Sequence, residues 1–369
     1  MIKGDDEGLQ WEYQPHRDLY NSIKPELQTH FDAHQRRTLG KSLAPPYFFL
    51  SGSGTGKSRN ATEFHDTLKR CADELEMPVL KARLDKARVF LIPLEGGMGI
   101  KNSESDLSKA IGSRMLLQLL PEKDLDEILR EYCPPTPIDV FMSVANGEHE
   151  DFSTEFTGVL VLDGIKTLLS QPGDARDKNS QFYRMLDDLC DLSLNSRGAF
   201  LISCFTATVT VPMKNFLAST GRPRIYLEAA SLKPPTMKQN SHPVFEDDVL
   251  SSLLVEDCGG HGRALLALKN SIDMHGGTVR GPNVDSIMEK TRTDVEKLYN
   301  FAFQMTPEVF VAVLRVILTR FRLRLNDLIV AANYGLGVLR PLWLSPGCGI
   351  PVVAHWVSWH LSPIAYVPG

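Results

Sequence analysis

The sequence is short of paired cysteines, of long apolar runs and of excess charge of either sign, and over its last 29 residues it has no charge at all. Six cysteines (Cys71, Cys133, Cys190, Cys204, Cys258, Cys348) are scattered through 369 residues without a CxxC pair. That spacing speaks against a zinc ribbon or a disulfide framework and suits a reducing compartment. The opening MIKGDDEGLQ puts acids where a secretory signal needs an apolar stretch, so no cleavable signal is expected. No segment reads as a membrane span. The one uncharged stretch of sufficient length, residues 341–369, holds five prolines and two histidines, which a lipid-exposed helix tolerates poorly. The chain therefore reads as cytoplasmic, with no membrane partner. Lys and Arg number 40 against 45 Asp and Glu, and a net charge of −5 argues against a general polyanion-coating protein. No internal repeat or low-complexity tract is visible.

What is present is ordinary for a folded chain of about two domains: 43% hydrophobic and 23% charged residues. At that charge density the 29-residue tail should carry about seven charges. It also holds three of the four tryptophans (Trp343, Trp356, Trp359), so it is expected to pack on something.

Apolar periodicity places a helix around Arg17–Arg37 and buried strands at Tyr47–Leu50, Val89–Leu94, Val159–Leu162, Ala199–Cys204 and Arg224–Leu227. Helices are expected over Ser58–Glu76, Leu107–Leu120, Phe182–Leu192 and Val211–Leu217. Residues 121–157 read as mixed, with Pro134, Pro135 and Pro137 marking a loop. Strands alternating with helices imply an α/β fold, a mainly parallel sheet covered on both faces. After Pro234-Pro235 the pattern turns helical, over Asp247–Val255, Arg263–Ile272 and Val284–Phe303. The expected domains are an N-terminal helical extension (1–44), a core (45–235), a smaller helical lid (236–305) and a C-terminal segment (306–369).

The most specific motif is Ser51-Gly52-Ser53-Gly54-Thr55-Gly56-Lys57-Ser58, close to the phosphate-loop pattern G-x-x-x-x-G-K-[ST] and set between a strand and a helix. Its glycines let successive N–H groups point inward at phosphate oxygens, aided by the helix dipole. Gly52, Ser53, Gly54, Thr55, Gly56, Lys57 and Ser58 are the nucleotide-binding candidates. Lys57 would neutralise the β- and γ-phosphates of ATP, and the Ser58 hydroxyl would enter a Mg²⁺ shell. Ser51 stands where the pattern has its first glycine.

Val159-Leu160-Val161-Leu162-Asp163 is an apolar strand ending in a carboxylate, where a phosphate-loop protein needs an acid for Mg²⁺. Asp163 is thus the second metal candidate. Gly164 follows it, where many hydrolytic proteins of this architecture carry a Glu to polarise water. Glu95, at the end of the second strand, is the candidate catalytic carboxylate in its place. Thr206 and Ser203, near the end of the fourth strand, are candidates to hydrogen-bond γ-phosphate or the attacking water.

These segments together resemble the P-loop NTPase module of the Crinkler effectors and their retrotransposon-hot-spot-protein relatives. The resemblance rests on YFFLSGSGTGKS (47–58), IGSRMLLQLL (111–120), VLVLDG (159–164), CFTATVTVPMKNFL (204–217), RIYLEAASLKPP (224–235) and CGGHGRALLAL (258–268). It implies an ATPase of AAA/STAND-like type with a helical lid, whose Gly-Gly-x-x-Arg arginine approaches the nucleotide. Here that is Arg263, with Arg222 and Arg224 as finger arginines toward a neighbouring subunit in a homo-oligomer. The resemblance also allows secretion, a host nucleus and a host-protein or nucleic-acid partner, although no LFLAK-type delivery motif precedes the phosphate loop. Arg315, Arg320, Arg322 and Arg324 form a basic stretch, read as paired with acids rather than bound to nucleic acid. His355 and His360 read as part of an aromatic cluster rather than a metal site.

The leading expectation is Mg²⁺-dependent ATP binding and hydrolysis acting as a conformational switch, with Lys57, Asp163, Glu95 and Arg263 in catalytic roles. Two alternatives stand beside it: an ATP-binding scaffold with little turnover, and an effector whose NTPase regulates a nuclease or DNA-binding part.

Overall fold

The computed structural model describes residues 7–298 except 53, 96–97, 102–103, 149–155, 170–176, 178, 197, 209–219 and 224. The expected helix at Val211–Leu217, the residue Arg224, the basic stretch 315–324 and the uncharged tail lie outside the described residues. The chain divides into two compact units. One takes the described parts of His16–Leu50 and Lys57–Glu228, and the other those of Met1–Pro15, Ser51–Gly56 and Ala229–Gly369.

The first unit is built on five strands: β1 (Tyr47–Leu50), β2 (Arg88–Pro93), β3 (Thr157–Asp163), β4 (Phe200–Ala207) and β5 (Ile225–Leu227). They lie in the order β2-β3-β4-β1-β5, and every pairing is parallel. The near-continuous apolar runs follow from burial on both faces. Along β3, Val159 and Val161 turn to one core, and Leu160 and Leu162 to the other. The first core receives α1 (Arg17–Gln35), α2 (Lys57–Thr62), α3 (Phe64–Glu74) and α4 (Pro78–Asp85). The opposite core receives α5 (Leu107–Leu119), α6 (Leu125–Glu131), α7 (Pro137–Glu148), α8 (Gln181–Cys190) and α9 (Leu192–Asn195), with α6 packed along α5.

Three expectations change here. The single helix expected over Ser58–Glu76 is two, α2 and α3, interrupted at Glu63. An additional helix, α4, opens on Pro78. The proline-marked loop in 121–157 is followed by α7, because Pro137 sits at the first helical position, where its missing N–H costs nothing. Thr136 and Asp139 cap that start reciprocally: Thr136 N–H donates to the Asp139 carboxylate at 2.9 Å, and Asp139 N–H to Thr136 Oγ1 at 3.4 Å. Gly158 on β3 leaves room for α7, since a Cβ there would stand 2.4 Å from the Phe141 ring.

The second unit contains α10 (Val249–Asp257), α11 (Gly262–Met274) and α12 (Val284–Leu298) around a core of Leu254, Leu265, Leu268, Ile272 and Ile287. The N-terminal segment joins this core. Trp11 meets Phe245 edge-on at 6.5 Å, and Glu12 N–H donates to Thr236 O at 2.7 Å. The Gly-Gly element has a clear backbone reason. Gly259 and Gly260 have φ of 57° and 70°, and a Cβ on Gly260 would stand 2.4 Å from Leu232 O. Leu232 N–H in turn donates to Gly260 O at 2.9 Å, so the LKPP and GGHGR segments are held together.

Candidate nucleotide site

In chain order the loop 51–56 leaves β1 and leads into α2, the strand–loop–helix context that a phosphate loop requires. Gly54 and Gly56 have φ of 76° and 90°, left-handed values that a side-chain-bearing residue resists. The loop is braced internally. Ser51 Oγ and Thr55 Oγ1 lie 2.6 Å apart, and Thr55 Oγ1 donates to Gly52 O at 2.8 Å. Ser51, in place of the first pattern glycine, is thus a structural partner of Thr55 rather than a gap in the motif. Ser53 lies outside the described residues.

Within the same compact unit as this loop, the start of α11 comes close to it. A Cβ on Gly262 would stand 3.5 Å from Gly54 O. Arg263 is the next residue and is half-buried. His261 caps the helix, its Nδ1 accepting from Ala264 N–H at 3.3 Å.

Lys57, Ser58, Glu95, Asp163 and Thr206 belong to the sheet unit. Lys57 is buried and Ser58 exposed at the first turn of α2, which packs on β3 and β4. Because β4 lies between β1 and β3, the strand carrying Thr206 separates the loop strand from the acid strand. Thr206 is fully buried, and its hydroxyl is used twice. It donates to Asp163 Oδ1 and accepts from Gly164 N–H at 2.8 Å. The expected Thr206 candidate is therefore an anchor for the acid. Asp163 itself is half-buried.

Glu95 lies one strand further along. Leu94 N–H donates to Asp163 O at 2.8 Å, continuing the β2–β3 ladder past Pro93. The Glu95 side chain lies over Gly164: a Cβ on that glycine would stand 3.1 Å from Glu95 Cγ and 3.4 Å from Oε1. Gly164 has φ of 88°. Thr206, Asp163, Gly164 and Glu95 are thus brought to adjacent strand ends. That is the carboxyl edge, where open α/β sheets bind ligands.

Two sequence readings are displaced. Ser203 is a buried mid-strand residue, opposite Leu160 in the ladder. Arg222 is buried and clamped by the Asp191 carboxylate and by Cys190 O at 3.1 Å, so its guanidinium is committed inside the unit instead of projecting as a finger. One residue escaped the sequence reading. Arg114, wholly buried on α5, makes a bidentate pair with Glu104 at 2.8 and 2.9 Å and donates to Met98 O at 2.6 Å, Gly99 O at 2.5 Å and Ala110 O at 2.7 Å. The available signal was a lone arginine among the apolar positions Ile111 and Met115 of the IGSRMLLQLL segment.

Whether the residues suit a magnesium ion follows from their oxygens. Among the described residues no group of three or more His, Cys, Asp and Glu could hold a metal. Ser58 and Asp163 offer a hydroxyl and an anchored carboxylate, the sparse set that Mg²⁺ accepts when nucleotide phosphates and water complete its shell. They fit.

No family model matches the chain. It is 29% identical over 273 residues to Crinkler effector protein 108 of Phytophthora sojae, a match covering 71% of this chain and 32% of that protein. The chain thus spans about a third of the length of the relative it matches. Among solved structures, the Aeropyrum pernix ORC2 protein in ADPNP–ADP complexes aligns with a TM-score of 0.46 and 13% identity, covering 97% of this chain and 88% of that one. Drosophila ORC bound to DNA aligns with a TM-score of 0.36 and 12% identity, covering 96% and 87%. Among the described residues no helix is long and apolar enough to cross a membrane. The parallel sheet in the order β2-β3-β4-β1-β5, with a glycine-rich loop leaving β1, is an α/β P-loop NTPase fold, and over 71% of its length the chain resembles a Crinkler effector.

Proposed function

We propose that this chain binds ATP through the loop 51–58 and hydrolyses it, nucleotide occupancy serving as a conformational switch. The observation that carries the proposal is the Thr206–Asp163–Gly164 network. A buried hydroxyl spends both its hydrogen-bonding directions fixing one carboxylate at the carboxyl edge of the sheet, on the strand next but one to the loop strand. An acid that only capped a helix would not call for a dedicated buried anchor.

In this reading the loop N–H groups bind the phosphates and Lys57 offsets their charge. Ser58 and Asp163 would hold Mg²⁺, which supplies charge neutralisation on the phosphate oxygens when bound. The half-buried Arg263, one residue beyond the contact of Gly262 with Gly54, would reach γ-phosphate and report its presence. A ligand shifts a conformational equilibrium only through differential contacts, and an arginine that meets γ-phosphate but not ADP provides one.

Phosphate release from ATP tests the reading. The wild type should turn over, whereas Lys57→Ala and Asp163→Asn should abolish turnover with the fold intact by circular dichroism. ATP binding without turnover at any magnesium concentration would select an ATP-binding scaffold instead. Turnover that survives Lys57→Ala would exclude the loop as its source.

A further inference from the structure

Hydrolysis at this site needs a group to take the proton of the attacking water, and the residue after Asp163 is a glycine. Position 164 is not merely empty. Its φ of 88° disfavours any side chain, and the volume a Cβ would take is bounded by Glu95 Cγ, Oε1 and Cδ at 3.1, 3.4 and 3.5 Å. The carboxyl group of Glu95 therefore occupies the neighbourhood that a side chain at 164 would have filled, although it is delivered from β2 instead of β3. It is exposed, and among the described residues no hydrogen bond or ion pair occupies its oxygens.

Such a group works only if the chain around it is held, and described residues on both sides of Glu95 are tied. Arg114, buried on α5, takes the carbonyls of Met98 and Gly99 and both oxygens of Glu104. Glu104 in turn accepts from Lys101 N–H at 2.8 Å. On the other side of Glu95, Leu94 is fixed to Asp163 through its N–H, and its carbonyl accepts from Thr167 Oγ1 at 3.2 Å. Burying a guanidinium is costly unless every donor is used, and here four donors go to the carbonyls of Met98 and Gly99 and to Glu104, and the fifth to Ala110 O on the same helix.

Building on the proposed ATPase reading, we infer that Glu95 is the water-activating carboxylate and that Arg114 is its positioning residue. Glu95 accepts a proton from water as the water oxygen forms a bond to the γ-phosphorus. The bond from that phosphorus to the β,γ-bridging oxygen breaks, and its electron pair leaves with ADP. The products are ADP and inorganic phosphate. Gly164 is then a requirement of this arrangement, since a side chain there would meet the Glu95 carboxylate.

The test is a comparison of binding with turnover. Glu95→Gln should lower kcat by about 100-fold or more, the scale of general-base loss, while ATPγS affinity measured by calorimetry changes less than threefold. Arg114→Lys keeps the charge but loses the five-donor fork, so kcat should fall about tenfold, again with affinity retained. Its thermal midpoint is measured alongside, and Glu104→Gln serves as the second variant should Arg114→Lys fail to fold. Turnover in Glu95→Gln within threefold of wild type overturns the inference and leaves the ATPase reading standing. Wild type that binds ATPγS without any turnover of ATP also overturns it. Wild type that binds no nucleotide overturns the ATPase reading itself.

Discussion

Replacing Thr206 by valine probes the anchor of Asp163 with almost no change of shape. The methyl group that replaces the hydroxyl neither donates to Asp163 nor accepts from Gly164 N–H. A hydrogen bond to a charged group contributes about 1.5–3 kcal/mol, and a stranded buried N–H costs about 1–3 kcal/mol. The two losses share one atom and do not add in full. Asp163 is only half-buried and regains water, so the expected cost is about 2–3 kcal/mol. The residue ranges of the sheet unit contain no tryptophan, so the readout must come from its own backbone. Hydrogen exchange on peptides from β3 and β4 supplies it. At 1.4 kcal/mol per tenfold change, exchange there should accelerate about 30- to 150-fold in Thr206→Val, and Thr206→Ser should recover most of the protection. Acceleration below threefold in the valine variant would refute the anchor.

Three further expectations concern the scaffold. Gly112→Ala drives a Cβ to 2.0 Å from Pro135 O, a backbone atom, and should cost about 3 kcal/mol or more, read as a lowered urea midpoint. Gly260→Ala combines a φ of 70° with a 2.4 Å approach to Leu232 O, so thermal denaturation should show early loss of the helical unit. His30, buried against the Phe200 ring at 4.8 Å with neither ring nitrogen hydrogen-bonded, is pushed down to about 3 by burial and by His34. The unfolded chain therefore binds more protons below the usual histidine value, so stability is full above pH 6.5 and is lost as pH falls toward 3. Between pH 7 and 5 the loss is about 2 kcal/mol from this residue alone, and His30→Leu should remove that share from the urea midpoints at the two pH values.

The strands were legible because burial on both faces leaves unbroken apolar runs such as VLVL, and the glycine-rich turn 51–56 because its glycines and Lys-Ser sit between strand and helix. Asp163 was legible as the polar end of such a run. Helix boundaries were less so. The break at Glu63 has no Gly or Pro to mark it, and Pro134, Pro135 and Pro137 around the start of α7 hid a cap formed by Thr136 and Asp139. Arg114 was hidden for a physical reason: two of the carbonyls that satisfy it belong to residues 15 and 16 positions away, which no periodicity reveals. The strand order, by which Thr206 falls between the loop strand and the acid strand, likewise became visible only in three dimensions.

Whether the loop 51–58 holds a nucleotide is read by calorimetric titration of ATPγS into wild type and Lys57→Ala. The wild type should bind saturably, one to one, and the variant at least tenfold more weakly, about 1.4 kcal/mol or more. Equal affinity in the two proteins, or no binding by the wild type, would contradict nucleotide binding by the loop.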